Sequence, residues 1–173
     1  MRKIDTSKWK PFQIGKLFDI KKGTRLTKAD MRDGEINFIG ASAMNNGVTT
    51  KIGNDECIHS ANTITVSYNG SVGEAFYQDE PFWASDDINV LYPRFNLTRQ
   101  IAFFMIPYIR AVGKRYAFVD KWRLGVMEKD CIMLPSIDDN TPDFAYMETY
   151  IESRERKVKS AIDILDKIKK ETW

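Results

Sequence analysis

Residues that do acid–base, nucleophilic or metal chemistry are scarce in this chain and poorly spaced for it. There is one histidine, His59, between Ile58 and Ser60, and there are two cysteines, Cys57 and Cys131. Zinc sites need Cys and His at short, fixed spacings, and none occurs. The His reads as a satisfied structural or surface residue, and the two thiols as buried and reduced. No GxxxxGK[ST] loop is present to cradle phosphates, and Gly70-x-x-Gly73 fits a hairpin turn better than a phosphate loop. Amino-methyl transfer would need an Asn/Asp-Pro-Pro-aromatic tetrapeptide, but no two prolines are adjacent. Pro142-Asp143 and Glu155-Arg-Lys157 spell a PD…ExK metal-nuclease signature. Both lie on one predicted helix, where twelve residues span about 18 Å, too far apart to share a metal ion. Asp86-Asp87 reads as a turn or cap. The expected metal and catalytic assignments are therefore none.

What the sequence does offer is a charged, aromatic binding surface. Residues 1–28 carry nine Lys/Arg against two Asp, and residues 94–123 carry seven against one. The stretch between them, 29–93, holds ten acids and two bases. A fold that joins the two basic blocks would have a polarised surface suited to a polyanion. One basic loop contains Lys21, Lys22, Thr24 and Arg25, and another contains Lys114, Arg115, Tyr116, Lys121, Trp122 and Arg123. Lys and Arg contact phosphates and guanine edges, Asn reads adenine, and aromatic rings pack on sugars and bases. Lys21, Lys22, Arg25, Lys114, Arg115 and Lys121 are expected to position a nucleic-acid backbone. Asn45, Asn46, Tyr68, Asn69 and Arg123 are the expected base-edge contacts. For each Asn-Gly pair, a plain turn remains the alternative.

These side chains have to be carried by short strands. The pattern predicts a helical turn at Gly15–Phe18 and a strand through Ile20. It predicts further strands at Glu35–Gly40, Val48–Ile52, Phe82–Ser85, Ile88–Tyr92 and Cys131–Pro135. Asn62–Tyr77 reads as a hairpin turning at Asn69-Gly70, with Ile64 and Val66 alternating against Thr63, Thr65 and Ser67. Asn96–Val112 has helical apolar spacing, with Pro107 expected to kink or interrupt it. Strands first and helices last make the class α+β, a mixed, strand-rich domain. No run of 18 apolar residues predicts a membrane span, and no apolar segment follows Met1 as a secretory signal would require. A cytoplasmic protein is the expectation.

The longest element is predicted from Pro142, with Thr141 as N-cap, to Lys170. Its apolar residues keep a heptad rhythm. Phe144, Ile151, Val158 and Leu165 fill one position; Met147, Arg154, Ala161 and Ile168 fill the other, and Ile162 widens the seam. About four heptads with charged flanks read as a coiled-coil helix that needs a second helix. It is expected to be an assembly element carried by a domain over 1–139, with the helix over 140–173. The alternative is that the stripe packs on the chain's own domain.

Several segments together resemble a known family. Trp9-x-x-Phe12-x-Ile14-Gly15-x-Leu17-Phe18-x-Ile20-x-x-Gly23, Asn45-Asn46-Gly47, the Ser67–Gly73 hairpin and Ile132-x-Leu134-Pro135 are similar to the target-recognition domain of type I restriction–modification specificity subunits. Pro142-Asp143-Phe144-x-x-Met147-Glu148-x-Tyr150-Ile151, leading into a long helix, resembles the end of such a domain. The resemblance implies a non-catalytic reader of double-stranded DNA. It implies docking onto DNA adenine methyltransferase subunits that carry S-adenosylmethionine, with no cofactor in this chain, and onto a restriction subunit where the system also cleaves. Family members usually hold two recognition domains joined by helices that pair antiparallel. One domain and one helix imply a half-subunit that forms a homodimer, or a piece of a longer protein. A helix of about 28 residues is about 42 Å long, or roughly 12 base pairs, so a dimer would read two inverted half-sites. The rival reading is a coiled-coil adaptor that never reads DNA, and an enzyme acting alone is a third.

Overall fold

The computed structural model describes residues 4–116 and 120–171, with side chains to 169. Its centre is a four-stranded antiparallel sheet in the order β2–β8–β5–β6, formed by Phe18–Lys22, Ile88–Pro93, Thr63–Ser67 and Ala75–Gln78. A three-stranded sheet, β4–β3–β7, is built from Val48–Ile52, Ile36–Ile39 and Phe82–Ala84. β1 (Trp9–Gln13) pairs antiparallel with β9 (Cys131–Pro135), tying the start of the domain to its end. The helices are α1 (Ile14–Leu17), α2 (Arg99–Gly113), α3 (Leu124–Met127) and α4 (Phe144–Glu171).

Alternation along the strands explains the layering. Ile20, Ile64, Val66 and Leu91 join the main core, where Ile101, Met105 and Ile109 of α2 cover them. Ile88 and Val90 point the other way and pack on Ile39, Phe82 and Ala84 of the three-stranded sheet. The expected alternation in β5 is present, but its polar residues are not exposed. Thr63, Thr65 and Ser67 are buried because β5 is an inner strand covered on both faces. Each hydroxyl donates to a backbone carbonyl: Thr63 to Ser60, Thr65 to Phe76 and Ser67 to Asn69. Pairing of this kind removes most of the cost of burial.

The hairpin is longer than its Asn-Gly suggested. Tyr68–Glu74 joins β5 to β6, and Gly70 (φ 72°) and Gly73 (φ 84°) supply its left-handed turns. α2 starts at a Thr98 cap whose side chain accepts from the Ile101 amide, and it runs through Pro107 without interruption. Pro107 lies on the exposed face, as does Phe103, whose carbonyl the missing N–H would have met. Both thiols are exposed, against expectation: Cys131 alternates outward with Met133 along β9, and Cys57 lies between β4 and β5.

The long helix forms nearly as predicted, with a different cap. Asp143, not Thr141, accepts from the Tyr146 amide at 2.9 Å, and Pro142 is outside the helix, bridged to Ser136. The helix divides into two parts. Phe144 stacks on Phe95 at 4.3 Å, Met147 is fully buried, and Tyr150 meets Phe104 edge-on. Glu155 accepts from Arg99 and Gln100 of α2, and Arg154 lies over the Tyr150 ring. Val158, Ile162 and Leu165, in contrast, are 60%, 51% and 65% exposed, and Ala161 and Ile168 are also on the surface. The expectation that the entire stripe is held for a partner helix is therefore corrected at Phe144, Met147 and Ile151. Their apolar surface is used within the domain because α2 lies beside the first turns of α4.

Candidate nucleic-acid interface

β2 continues its inward face beyond the core. Ile20 is buried, and two residues later Lys22 occupies the same face, opposite Asn89 of β8. There the apolar layer gives way to a cleft of about 420 Å³, lined by Lys22, Tyr68, Asn89, Lys121, Arg123, Leu124 and Gly125. Lys21 and Lys22, expected in a loop, are the last residues of β2, and this strand and the Lys121–Arg123 segment, a hundred residues apart in sequence, line one cleft. Among the described residues, Lys22, Lys121 and Arg123 have no carboxylate partner within ion-pair distance. Arg25, Lys51, Arg94 and Arg99 each pair with one carboxylate, and Arg32 pairs with two, Asp55 and Glu56.

The wall that carries Lys121 and Arg123 is held by two buried anchors. Trp122 is fully buried between them, its ring stacked on Tyr116 at 5.7 Å. Its indole N–H donates to Asp130 Oδ2 at 2.6 Å, and the Tyr116 hydroxyl donates to the same oxygen at 2.7 Å. Met127 is also fully buried, and its sulfur receives the Asn89 amide at 3.9 Å. Backbone bonds from Ile14 to Asp130 and from Gly15 to Glu128 fasten the far end of the segment to α1. Lys121 adopts φ 29°, an uncommon conformation for a residue with a Cβ.

Lys21, Thr24, Arg25, Lys114 and Arg115 are not among the residues that line this cleft. Lys21 is on the opposite face of β2, with its ammonium 4.7 Å from the centre of the Tyr92 ring. The Tyr92 hydroxyl is 2.7 Å from His59 Nδ1, so the one histidine belongs to a structural cluster. Burial holds the His59 pKa below its ordinary value, and the Lys21 charge adds to the effect. Thr24 is exposed, but its backbone is fixed: its amide donates to Ala84 and its carbonyl accepts from the Trp83 indole. Arg25 pairs with Asp86 at 3.6 Å, in the turn between β7 and β8. Lys114 and Arg115 are exposed just after α2, ahead of residues 117–119, which lie outside the described range.

Four expected base-edge side chains have their donors engaged within the protein. Asn45 donates to the Val48 carbonyl, and Asn46 to the Tyr77 carbonyl and the Gln78 side chain. The Tyr68 hydroxyl donates to the Asp86 carbonyl, and Asn69 donates to Asp87 at 2.7 Å. Asn45 and Asn46 both have positive φ, so the turn alternative describes them. As projecting tips they are corrected: the Asn45 amide closes its own turn on the Val48 carbonyl, and the Asn46 amide ties that turn to β6. Tyr68 still lines the cleft through its ring, with Lys22 5.4 Å from the ring centre. Asn89, Leu124 and Gly125 were not anticipated. The available signal for Asn89 was an amide in the otherwise apolar run Ile88–Leu91.

Comparison with known proteins gives a consistent picture. A model of the type I restriction modification DNA specificity domain matches residues 6–163. The specificity subunit S.BcgI of a type II restriction enzyme from Heyndrickxia coagulans is 36% identical over 162 residues, covering 91% of this chain and 47% of that protein. The chain thus spans about half the length of this curated relative. The S subunit of a type I restriction–modification system from M. genitalium shares the fold, with a TM-score of 0.62 at 16% identity over 94% of this chain and 44% of that one. The HsdS subunit from Thermoanaerobacter tengcongensis also has a TM-score of 0.62, at 14% identity over 91% and 40%.

Proposed function

This chain belongs to the type I restriction modification DNA specificity family, and on that premise we propose that it is a sequence-reading, non-catalytic subunit. In this reading it binds double-stranded DNA along the Lys22–Arg123 cleft and directs partner adenine methyltransferase subunits to the bound sequence. The carrying observation is the convergence of cations without acidic partners, from both basic blocks, on one cleft with an aromatic wall. Phosphate neutralisation by such groups releases counterions and gives salt-dependent affinity.

The partner subunits would hold S-adenosylmethionine and do the chemistry, and a restriction subunit would join where the system cleaves. No cofactor is assigned to this chain, and its proposed location is the cytoplasm. The distal half of α4 supports a homodimer, because Val158, Ile162 and Leu165 leave an apolar stripe that no described segment covers. Antiparallel pairing would set two identical domains at opposite ends of helices about 42 Å long. The dimer would read a bipartite site whose symmetry mirrors its own.

The test is genome-wide mapping of methylated adenine in cells with and without the gene. Loss of one symmetric bipartite motif supports the reading. An asymmetric motif would point to a second, different recognition domain. Survival of every motif, together with salt-insensitive protein binding and no affinity for duplex DNA, would favour the adaptor reading instead.

A further inference from the structure

The Lys121–Arg123 tip of the cleft is built around a buried ring. A fully buried tryptophan separates two cations, and burying it fixes the backbone on either side of it. Its indole is bonded to Asp130, its ring is stacked on Tyr116, and Lys121 takes a left-handed backbone angle to let the chain pass. Arg123 closes the turn by donating its amide to the Lys121 carbonyl at 2.7 Å. The guanidinium remains exposed and, among the described residues, has no carboxylate partner. The amides of Asn45, Asn46 and Asn69 and the hydroxyl of Tyr68, by contrast, are already used for internal bonds.

We propose that Arg123 is the sequence-determining contact of this domain, reading a guanine edge in the major groove, with Trp122 and Asp130 as its positioning residues. The inference rests on the DNA-reading function proposed above. Arginine matches guanine because its planar fork donates to O6 and N7 together, and discrimination requires that the fork be held in place. The Trp122 anchor fixes the backbone from which the Arg123 side chain leaves, so the guanidinium starts from a set position beside the cleft and the base edge completes the alignment of its fork. Lys22 and Lys121, as compact point charges on the same cleft, hold phosphates and set the register without reading sequence.

The experiment is selection from a randomised duplex library by the whole chain, as wild type, Arg123→Ala, Lys22→Ala and Trp122→Phe. Wild type should enrich a motif containing a guanine. Arg123→Ala should lose preference at that one position by about tenfold or more and keep the rest of the motif. Lys22→Ala should weaken binding to all sequences and leave the motif unchanged. Trp122→Phe keeps a ring and removes the indole donor, so the guanine preference should fall while the other positions and the far-ultraviolet circular dichroism stay close to wild type. A wild-type motif that Arg123→Ala leaves intact, or one with no guanine, overturns the inference alone. If wild type selects no motif, the DNA-reading function itself fails.

Discussion

Gly73 and Gly113 meet backbone to backbone: a Cβ placed on Gly113 would lie 2.4 Å from the Gly73 Cα, and one placed on Gly73 would lie 2.8 Å from the Gly113 Cα. Gly73 is in the loop that presents Tyr68, and Gly113 ends the helix that leads to Lys121 and Arg123. The contact therefore sets the separation of the two cleft walls. A Cβ on Gly113 would also come within 2.9 Å of the Trp122 ring, the anchor of the second wall.

Gly113→Ala should accordingly destabilise the domain by about 1–3 kcal/mol, as overpacking of a close contact does. Urea unfolding measures it. A loss under 0.5 kcal/mol would show that the loops yield easily, and the wall spacing would then not be fixed here.

Removing positive charge from the cleft should act uniformly. Lys22→Ala and Lys121→Ala should each weaken duplex binding on every sequence and reduce the slope of log affinity against log salt by about 1. Fluorescence anisotropy at several salt concentrations provides the values. Unchanged slopes in both variants would locate the DNA surface elsewhere.

Asp130 holds two donors with one oxygen, so Asp130→Ala leaves the buried Trp122 indole and the Tyr116 hydroxyl without that acceptor. The expected cost is about 1–3 kcal/mol, measurable by thermal unfolding. Asp130→Asn, which keeps a side-chain oxygen, should lose less.

His59 gives the fold an acid-sensitive contribution. Its folded pKa is lowered by burial and then by Lys21, so the unfolded chain binds more protons below the ordinary histidine range. Stability from neutral His59 is full above the unfolded pKa of about 6.5 and falls as pH drops toward the folded value. Melting temperatures from pH 7.5 to 5 should decline more steeply in wild type than in His59→Gln. Parallel curves would remove His59 as the cause.

The two halves of α4 should respond differently to truncation. Met147→Ala should cost about 2–5 kcal/mol, because it opens a cavity in the domain core. Leu165→Ala, at a 65% exposed position, should leave the stability of the monomer within about 0.5 kcal/mol. If the homodimer forms, Leu165→Asp should shift it to monomer in light scattering. A stable wild-type monomer, free and on DNA, would end the dimer proposal.

Local pattern determined a great deal by itself. Alternation and turn residues located the strands at Ile36–Ile39, Val48–Ile52 and Ile88–Pro93, and helical spacing located α2 and α4, because each depends on neighbours within a few residues. The order of those segments was enough to carry the family resemblance. Tertiary structure alone decided which polar groups remain available. Nothing in Asn45-Asn46 reveals that both amides will hold a turn closed, since Asn46's acceptors lie over thirty residues away at Tyr77 and Gln78. Heptad spacing cannot say whether Met147 meets another chain or its own α2, since both present an apolar surface. The cleft exists only because β2 and the Trp122 segment, a hundred residues apart, close on one another. That approach is fixed by buried long-range contacts, and a sequence pattern of period two or 3.6 does not encode them.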